Sequence, residues 1–145
     1  MTTDPRNGME ILEDEACWAL LDQEEVGRLA VSVAGDVDIF PINYIVADRT
    51  IVFRTAEGSK LTELAANSRV ALEIDGYEPD SGEAWSVVLK GMAQLLDRFS
   101  DIYPAEELPL FPWNASPKQW FVRVRPVRVT GRRFTVVEDQ RPSSR

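Results

Sequence analysis

Short runs in which apolar and polar residues alternate strictly constrain this chain more than any other feature. Arg69–Asp75 sets Val70, Leu72 and Ile74 against Arg69, Ala71, Glu73 and Asp75. A period of two gathers apolar side chains on one face only in a β-strand. Arg28–Val33 repeats the pattern with Leu29, Val31 and Val33, and Ala34-Gly35-Asp36 then reads as a hairpin turn. Val37–Val46 is rich in β-formers. Pro41 inside it implies an edge position or a bulge, because proline cannot donate to a ladder. Ala47-Asp48-Arg49 makes a second tight connection into Thr50–Arg54, so the first three strands read as an antiparallel meander.

Two longer strands follow. Ala84–Leu96 carries Gly91, which marks a bulge. Gln119–Val137 places Trp120, Val122 and Val124 on one side and Phe121, Arg123 and Arg125 on the other, and Pro126 must bend or interrupt it. Between strands, Ile11–Asp22 spaces Leu12, Ala16 and Leu20, with Cys17 and Leu21, as one helical face closing near Gly27. A short second helix opens at Gly58-Ser59-Lys60, with Leu61, Leu64 and Ala65 on one face and Asn67 as its cap. Residues 76–83 form a polar turn cluster, and residues 97–118 hold four of the nine prolines and read as an irregular excursion. At 145 residues the chain suits one domain, with a flexible start over 1–9, a folded body over 10–138 and a flexible tail over 139–145. Regular strand–helix alternation is missing, so a doubly wound fold is not expected. Six antiparallel strands of this length close most simply into a small barrel, which removes exposed edges.

Two absences bound the chemistry. The chain has no histidine and one cysteine, Cys17. No Ser-His-Asp or Cys-His nucleophile system can be assembled, nor a zinc site of the usual Cys/His type. A lone cysteine forms no internal disulfide and fits a reducing compartment. The acidic N-terminus lacks the apolar stretch of a secretory leader, and no apolar run is long enough for a membrane span, so a cytoplasmic location is expected. Net charge is −8, which disfavours nucleic acid as a partner. The charge is unevenly spread. Residues 118–145 hold eight basic and two acidic groups, and residues 1–117 hold eight basic and 22 acidic. That basic segment either holds an anionic ligand or pairs with the acidic body.

Phe53-Arg54-Thr55-Ala56-Glu57-Gly58-Ser59-Lys60-Leu61 concentrates the chemistry. A strand delivers Arg54 and Thr55 towards the start of a helix at Ser59-Lys60. Helix N-termini present unpaired N–H groups, so an anion there would meet Lys60, Arg54 and the Ser59 hydroxyl. The alternative is an ordinary serine cap followed by a solvated lysine.

The series GRLAV (27–31), DIFPINYIV (38–46), IVFRTAEGSKL (51–61), EAWSVVLKGMA (83–93) and VRVRPVRVTGRRF (122–134) resembles the pyridoxamine 5'-phosphate oxidase-like FMN-binding split-barrel superfamily. It is nearest to the actinobacterial branch that groups with nitroimidazole-resistance-type proteins. The resemblance covers roughly residues 10–138 in the expected order. It implies a mainly β fold, a six-stranded antiparallel split barrel of Greek-key type with an N-terminal helix and a short mid-chain helix. It also implies a homodimer with FMN at the subunit interface, and a flavin-dependent oxidoreductase acting on a small organic molecule.

Carried over residue by residue, the resemblance nominates Arg54, Thr55, Ser59 and Lys60 for the ribityl chain and phosphate. Ile42 and Asn43 would lie along the ring system, Trp85 and Ser86 would come from across the interface, and Trp113 would cover the ring. The plainer alternatives are that Asn43 satisfies a nearby backbone group and that Trp85 belongs to the core. Arg123 and the run Gly131-Arg132-Arg133-Phe134 receive no role. Cys17 reads as inert packing. The absence of histidine argues against the namesake reaction, and no catalytic residue is nominated. Alternatives are a flavin or ligand binder without turnover, a deazaflavin- or haem-binding relative, and a barrel kept as an interaction module.

Overall fold

The computed structural model describes residues 2–3, 8–55, 67–96 and 120–136. In chain order the elements are β1 (Thr2–Thr3), β2 (Glu10–Ile11), α1 (Asp14–Gln23), β3 (Val26–Val33), β4 (Asp36–Asn43), β5 (Ile45–Ala47), β6 (Thr50–Thr55), β7 (Arg69–Glu78), β8 (Glu83–Leu96) and β9 (Trp120–Thr135). The expected second helix and the proline-rich excursion lie outside the described residues.

All pairings are antiparallel. β4 pairs with β3, β3 with β7, β7 with β8, β8 with β9, β9 with β6, and β6 with β5. β5 follows β4 across Tyr44, so the sheet curls round until the chain itself, rather than a ladder, joins its two ends. This is a split barrel. β7 lies beside β3 rather than beside β6, the Greek-key order for a three-strand meander and its returning strand.

Among the described residues, seven strands of three residues or more replace the six expected, because the run 37–46 is two strands. At Tyr44 the backbone leaves the ladder: its N–H donates to the Glu25 carbonyl at 3.1 Å and its hydroxyl to the Leu21 carbonyl at 2.7 Å. Pro41 is tolerated because β4 ends the sheet path. Both tight connections are two-residue turns with left-handed backbone. Ala34 and Gly35 have φ of 51° and 83°, and Asp48 and Arg49 have 51° and 56°, as the hairpin geometry that matches strand twist requires.

The helix begins at Asp14, since Ile11 joins β2 instead, and it closes at Glu24, whose N–H donates to the Leu20 carbonyl. Gly27 is not its stop. It lies in β3, where an added Cβ would sit 2.7 Å from Leu72 Cδ1, so glycine there lets the strand meet the core. Cys17 and Leu21 are fully buried and join Leu29, Ile51, Phe53, Leu72, Ile74, Val87, Leu89, Val122 and Val124 in one core. Arg49 clamps the helix from outside, 2.6 Å from Glu15 and 5.4 Å over the Trp18 ring. Gly131 seats it from below: a Cβ there would lie 2.7 Å from Cys17 Sγ.

One irregularity sets the geometry of β9. Lys90 pairs with Arg128 but Gly91 with Pro126, so Val127 is an extra residue without a partner on β8. Glycine and proline, noticed separately in the sequence, face each other at a single bulge. An extra residue exchanges the two faces of a strand. Val122 and Val124 point into the core before it, and Val129 and Gly131 do so after it. Val127 is left 75% exposed.

Two expectations follow. Gly91→Ala puts a Cβ 2.3 Å from the Arg125 carbonyl oxygen, an overlap with backbone that should cost about 3 kcal/mol in urea unfolding. Ala34→Asn gives the first turn the Asn-Gly pair its φ values favour and should raise stability by about 0.5–1 kcal/mol. A neutral Gly91→Ala, or a destabilising Ala34→Asn, contradicts this account of bulge or turn.

Candidate functional site

The split lies between β4 and the stretch of β6 beyond its pairing with β5, residues 53–55. Continuing the β5–β6 register past Tyr44 sets Asn43 opposite Arg54 and Ile42 opposite Thr55, although no ladder joins β4 to β6. Four of the nominated residues therefore converge at the split. Strand alternation divides them. Ile42 and Thr55 face inward and are buried, whereas Asn43 and Arg54 share the opposite face. Asn43 Nδ2 reaches the Glu25 carbonyl at a long 3.5 Å, the plainer role anticipated for it. Its Oδ1 is buried with no hydrogen-bond partner.

Arg54 is half-buried, with its guanidinium 6.0 Å above the Phe121 ring. Phe121 belongs to a second apolar cluster with Val52 and Leu96, against which Ile45 and Ala47 pack. Arg123 stands on the same face, paired through the backbone with Val52 and Gln94. Its Nε is also buried without a hydrogen-bond partner. Sequence reasoning saw Arg123 but gave it no role. Its place between Phe121 and Arg125, on the face of β9 opposite Val122 and Val124, was the available signal.

A buried acceptor on Asn43 and a buried donor on Arg123 therefore flank Arg54 on one surface. An unmet buried polar group costs about 1–3 kcal/mol, so this surface is suited to a partner that donates at one point and accepts at another. A ring system with N–H and C=O edges and an anionic arm has that chemistry, and the residues present fit a flavin.

Trp85 and Ser86 are elsewhere. They pair with Arg133 and Arg132, and the distance from Phe121 to Arg133 along β9 is about 40 Å of strand at ~3.3 Å per residue. Within one chain they do not meet Arg54. They also face opposite ways: the Trp85 indole lies over Gly76 and against the core, and Ser86 faces outward. Ser59, Lys60 and Trp113 lie outside the described residues.

The titratable groups nearby do not supply a nucleophile. Burial pushes the Cys17 thiol up, with Asp14 adding to it. Burial, then Glu24 and Asp22, raise the Tyr44 hydroxyl far above its ordinary value, which keeps it a hydrogen-bond donor. On the outer face Arg28 binds both Glu73 (2.9 Å) and Asp75 (3.0 Å). Burial and then Asp75 still hold the Glu73 carboxyl above its usual range. Among the described residues no group of three or more His, Cys, Asp or Glu side chains is placed to hold a metal ion, and no helix is long and apolar enough to cross a membrane.

Solved structures agree with this architecture. An FAD-binding protein of Mycobacterium smegmatis is 39% identical, covers 86% of this chain and 99% of its own, and superposes with a TM-score of 0.73. A putative pyridoxamine 5'-phosphate oxidase of Corynebacterium glutamicum is 38% identical, with 88% and 99% coverage and a TM-score of 0.79. A putative 5-nitroimidazole antibiotic resistance protein of Bacteroides thetaiotaomicron, 13% identical over 88% of this chain and 89% of its own, shares the fold at a TM-score of 0.71. The family model for pyridoxamine 5'-phosphate oxidase matches residues 13–133. On that match and this fold, the chain belongs to the pyridoxamine 5'-phosphate oxidase family.

Proposed function

We propose that this protein binds FMN at the split of its barrel, as a homodimer, and acts as a flavin-dependent oxidoreductase on a small organic molecule. The observation that carries the proposal is that two buried side-chain atoms without a hydrogen-bond partner, Asn43 Oδ1 and Arg123 Nε, lie on the face that carries the Arg54 cation. The third such atom among the described residues is Arg133 Nε, which ion-pairs with Glu83. Asn43 would accept from a ring N–H, and Arg123 would donate to a ring carbonyl. Arg54 would answer the phosphate, together with Ser59 and Lys60. The flavin itself, when bound, supplies hydride and electron transfer, so a chain without histidine has no handicap. Charge-assisted donors beside the ring favour the anionic form of a reduced cofactor.

The Mycobacterium smegmatis relative binds FAD. FAD and FMN share the ring, the ribityl chain and the first phosphate, so the same three groups serve either, and FMN is the smaller commitment. The namesake substrate is not expected, because no histidine is present to help hold its phosphate. Dimerisation is supported by position. Trp85 and Ser86 can join the Arg54 site only from a second copy. Next to Ser86 the row Tyr77–Ala84–Phe134 crosses three strands with an exposed aromatic residue at each end, Tyr77 at 48% and Phe134 at 38%.

Titration with FMN and with riboflavin tests the reading. Arg54→Ala and Lys60→Ala should each weaken FMN by roughly 1.5–3 kcal/mol while leaving riboflavin, which has no phosphate, nearly unchanged. Asn43→Leu should weaken both. FMN that fails to bind at high concentration, or binds all three variants as it does the parent, defeats the proposal. Turnover above that of free FMN separates an oxidoreductase from a flavin carrier.

A further inference from the structure

Asn43 carries the acceptor on which the proposed function rests, and the end of α1 determines which way its amide faces. The helix stops at Gln23, and Glu24 is extended, with φ −87° and ψ 156°. Carbonyls in the last turn of a helix have no partner within it. The Leu20 carbonyl accepts from the Glu24 N–H at 3.2 Å, and the Leu21 carbonyl accepts from the Tyr44 hydroxyl at 2.7 Å. Beyond the helix, the Glu25 carbonyl accepts from the Tyr44 N–H at 3.1 Å and from Asn43 Nδ2 at 3.5 Å. Tyr44 therefore ties both Leu21 and Glu25 to the strand end that bears Asn43.

A backbone carbonyl accepts hydrogen bonds and cannot donate them. The end of the Asn43 amide nearer Glu25 must then be its NH2 group. Oδ1, buried without a hydrogen-bond partner, is the end left for a ligand. With the amide reversed, two oxygens would oppose each other and the site would offer a donor in place of an acceptor. At 3.5 Å the Asn43–Glu25 bond is at the outer limit of a hydrogen bond, so the position of that carbonyl has to be held by other groups. Tyr44 supplies them. It is 5% exposed within the core, which leaves its side chain little room to move away from Leu21. Burial, with Glu24 and Asp22 adding to it, raises the hydroxyl above its ordinary pKa, so it remains a donor at neutral pH.

We infer that Tyr44 is a positioning residue for the cofactor: its hydroxyl fixes the end of α1, which holds the Glu25 carbonyl where the Asn43 amide must present oxygen, and the split thereby selects a ring that carries an N–H. The inference rests on the proposed flavin site and adds to it a selectivity and the core residue that enforces it. An oxidised flavin ring carries a single N–H, at N3 between two carbonyls. Methylation at N3 removes that donor and leaves the carbonyls in place.

Riboflavin and 3-methylriboflavin, each titrated into the full-length protein by fluorescence, test it. Neither has a phosphate, so Arg54 and Lys60 do not decide the comparison. The parent should prefer riboflavin at least tenfold, and Asn43→Leu, which has no acceptor, should bring the two within twofold. Tyr44→Phe keeps the ring and removes only the hydroxyl; it should cut the preference at least threefold. Leu89→Val, which loosens the same core from β8, should leave the preference unchanged, with every variant measured well below its unfolding temperature. A Tyr44→Phe protein that melts earlier yet keeps the full preference would give the hydroxyl a structural role alone and overturn the inference. An equal loss in Leu89→Val, or a parent that binds both flavins equally, would overturn it as well. Those three results leave flavin binding standing; failure of riboflavin and FMN alike to bind defeats the proposed function, and this inference with it.

Discussion

The close approach of Gly91 to the Arg125 carbonyl governs the rest of this molecule. It permits the bulge that leaves Val127 without a partner. Through that single extra residue β9 contributes Val122 and Val124 to the core at one end and Val129 and Gly131 at the other. Gly131 then receives Cys17 and Leu12, so the helix docks where the exchanged face leaves room. Without the bulge, Arg128 and Arg132 would point into the barrel, where unpaired charge is prohibitively costly. The same exchange places the cations of β9 on the outer face. Packing, helix docking and surface charge thus follow from one local event.

The split has a different origin. Tyr44 leaves the ladder because its backbone and hydroxyl both bond to the α1 end of the chain, at Glu25 and Leu21. β4 and β6 are thereby held as facing edges without being zipped together. Asn43 Oδ1 on one side of that gap and Arg123 Nε, on the face that Arg54 shares, are buried without a hydrogen-bond partner, a circumstance that calls for an explanation such as a ligand. The lack of histidine, an exclusion when read alone, then becomes consistent with chemistry drawn from a bound cofactor.

The strands were legible wherever one face is core and the other solvent, as in Arg69–Asp75, because burial and alternation then coincide. The hairpin turns were legible from their residues. The bend at Tyr44 was not, since its cause is a pair of hydrogen bonds to residues 19 and 23 positions earlier. Gly27 was misread as a helix stop because glycine serves close packing as readily as it ends helices. Gly91 and Pro126 were both noticed, but their opposition depends on a register that only the folded sheet defines. Of the candidate site, Ile42, Asn43, Arg54 and Thr55 were legible through family resemblance. What alternation alone divided was which of them face the core. Arg123 escaped because a half-buried arginine on an alternating strand looks like a solvated one until its neighbours are known.

Backbone hydrogen exchange with and without FMN tests the central claim most directly, because it reports where the ligand sits without presupposing a side chain. Slowed exchange on FMN addition should centre on residues 42–55, the two edges of the split, and should include the amides of Asn43 and Arg54. Protection confined to β8 and β9, with no change across residues 42–55, would contradict the placement of the cofactor at the split.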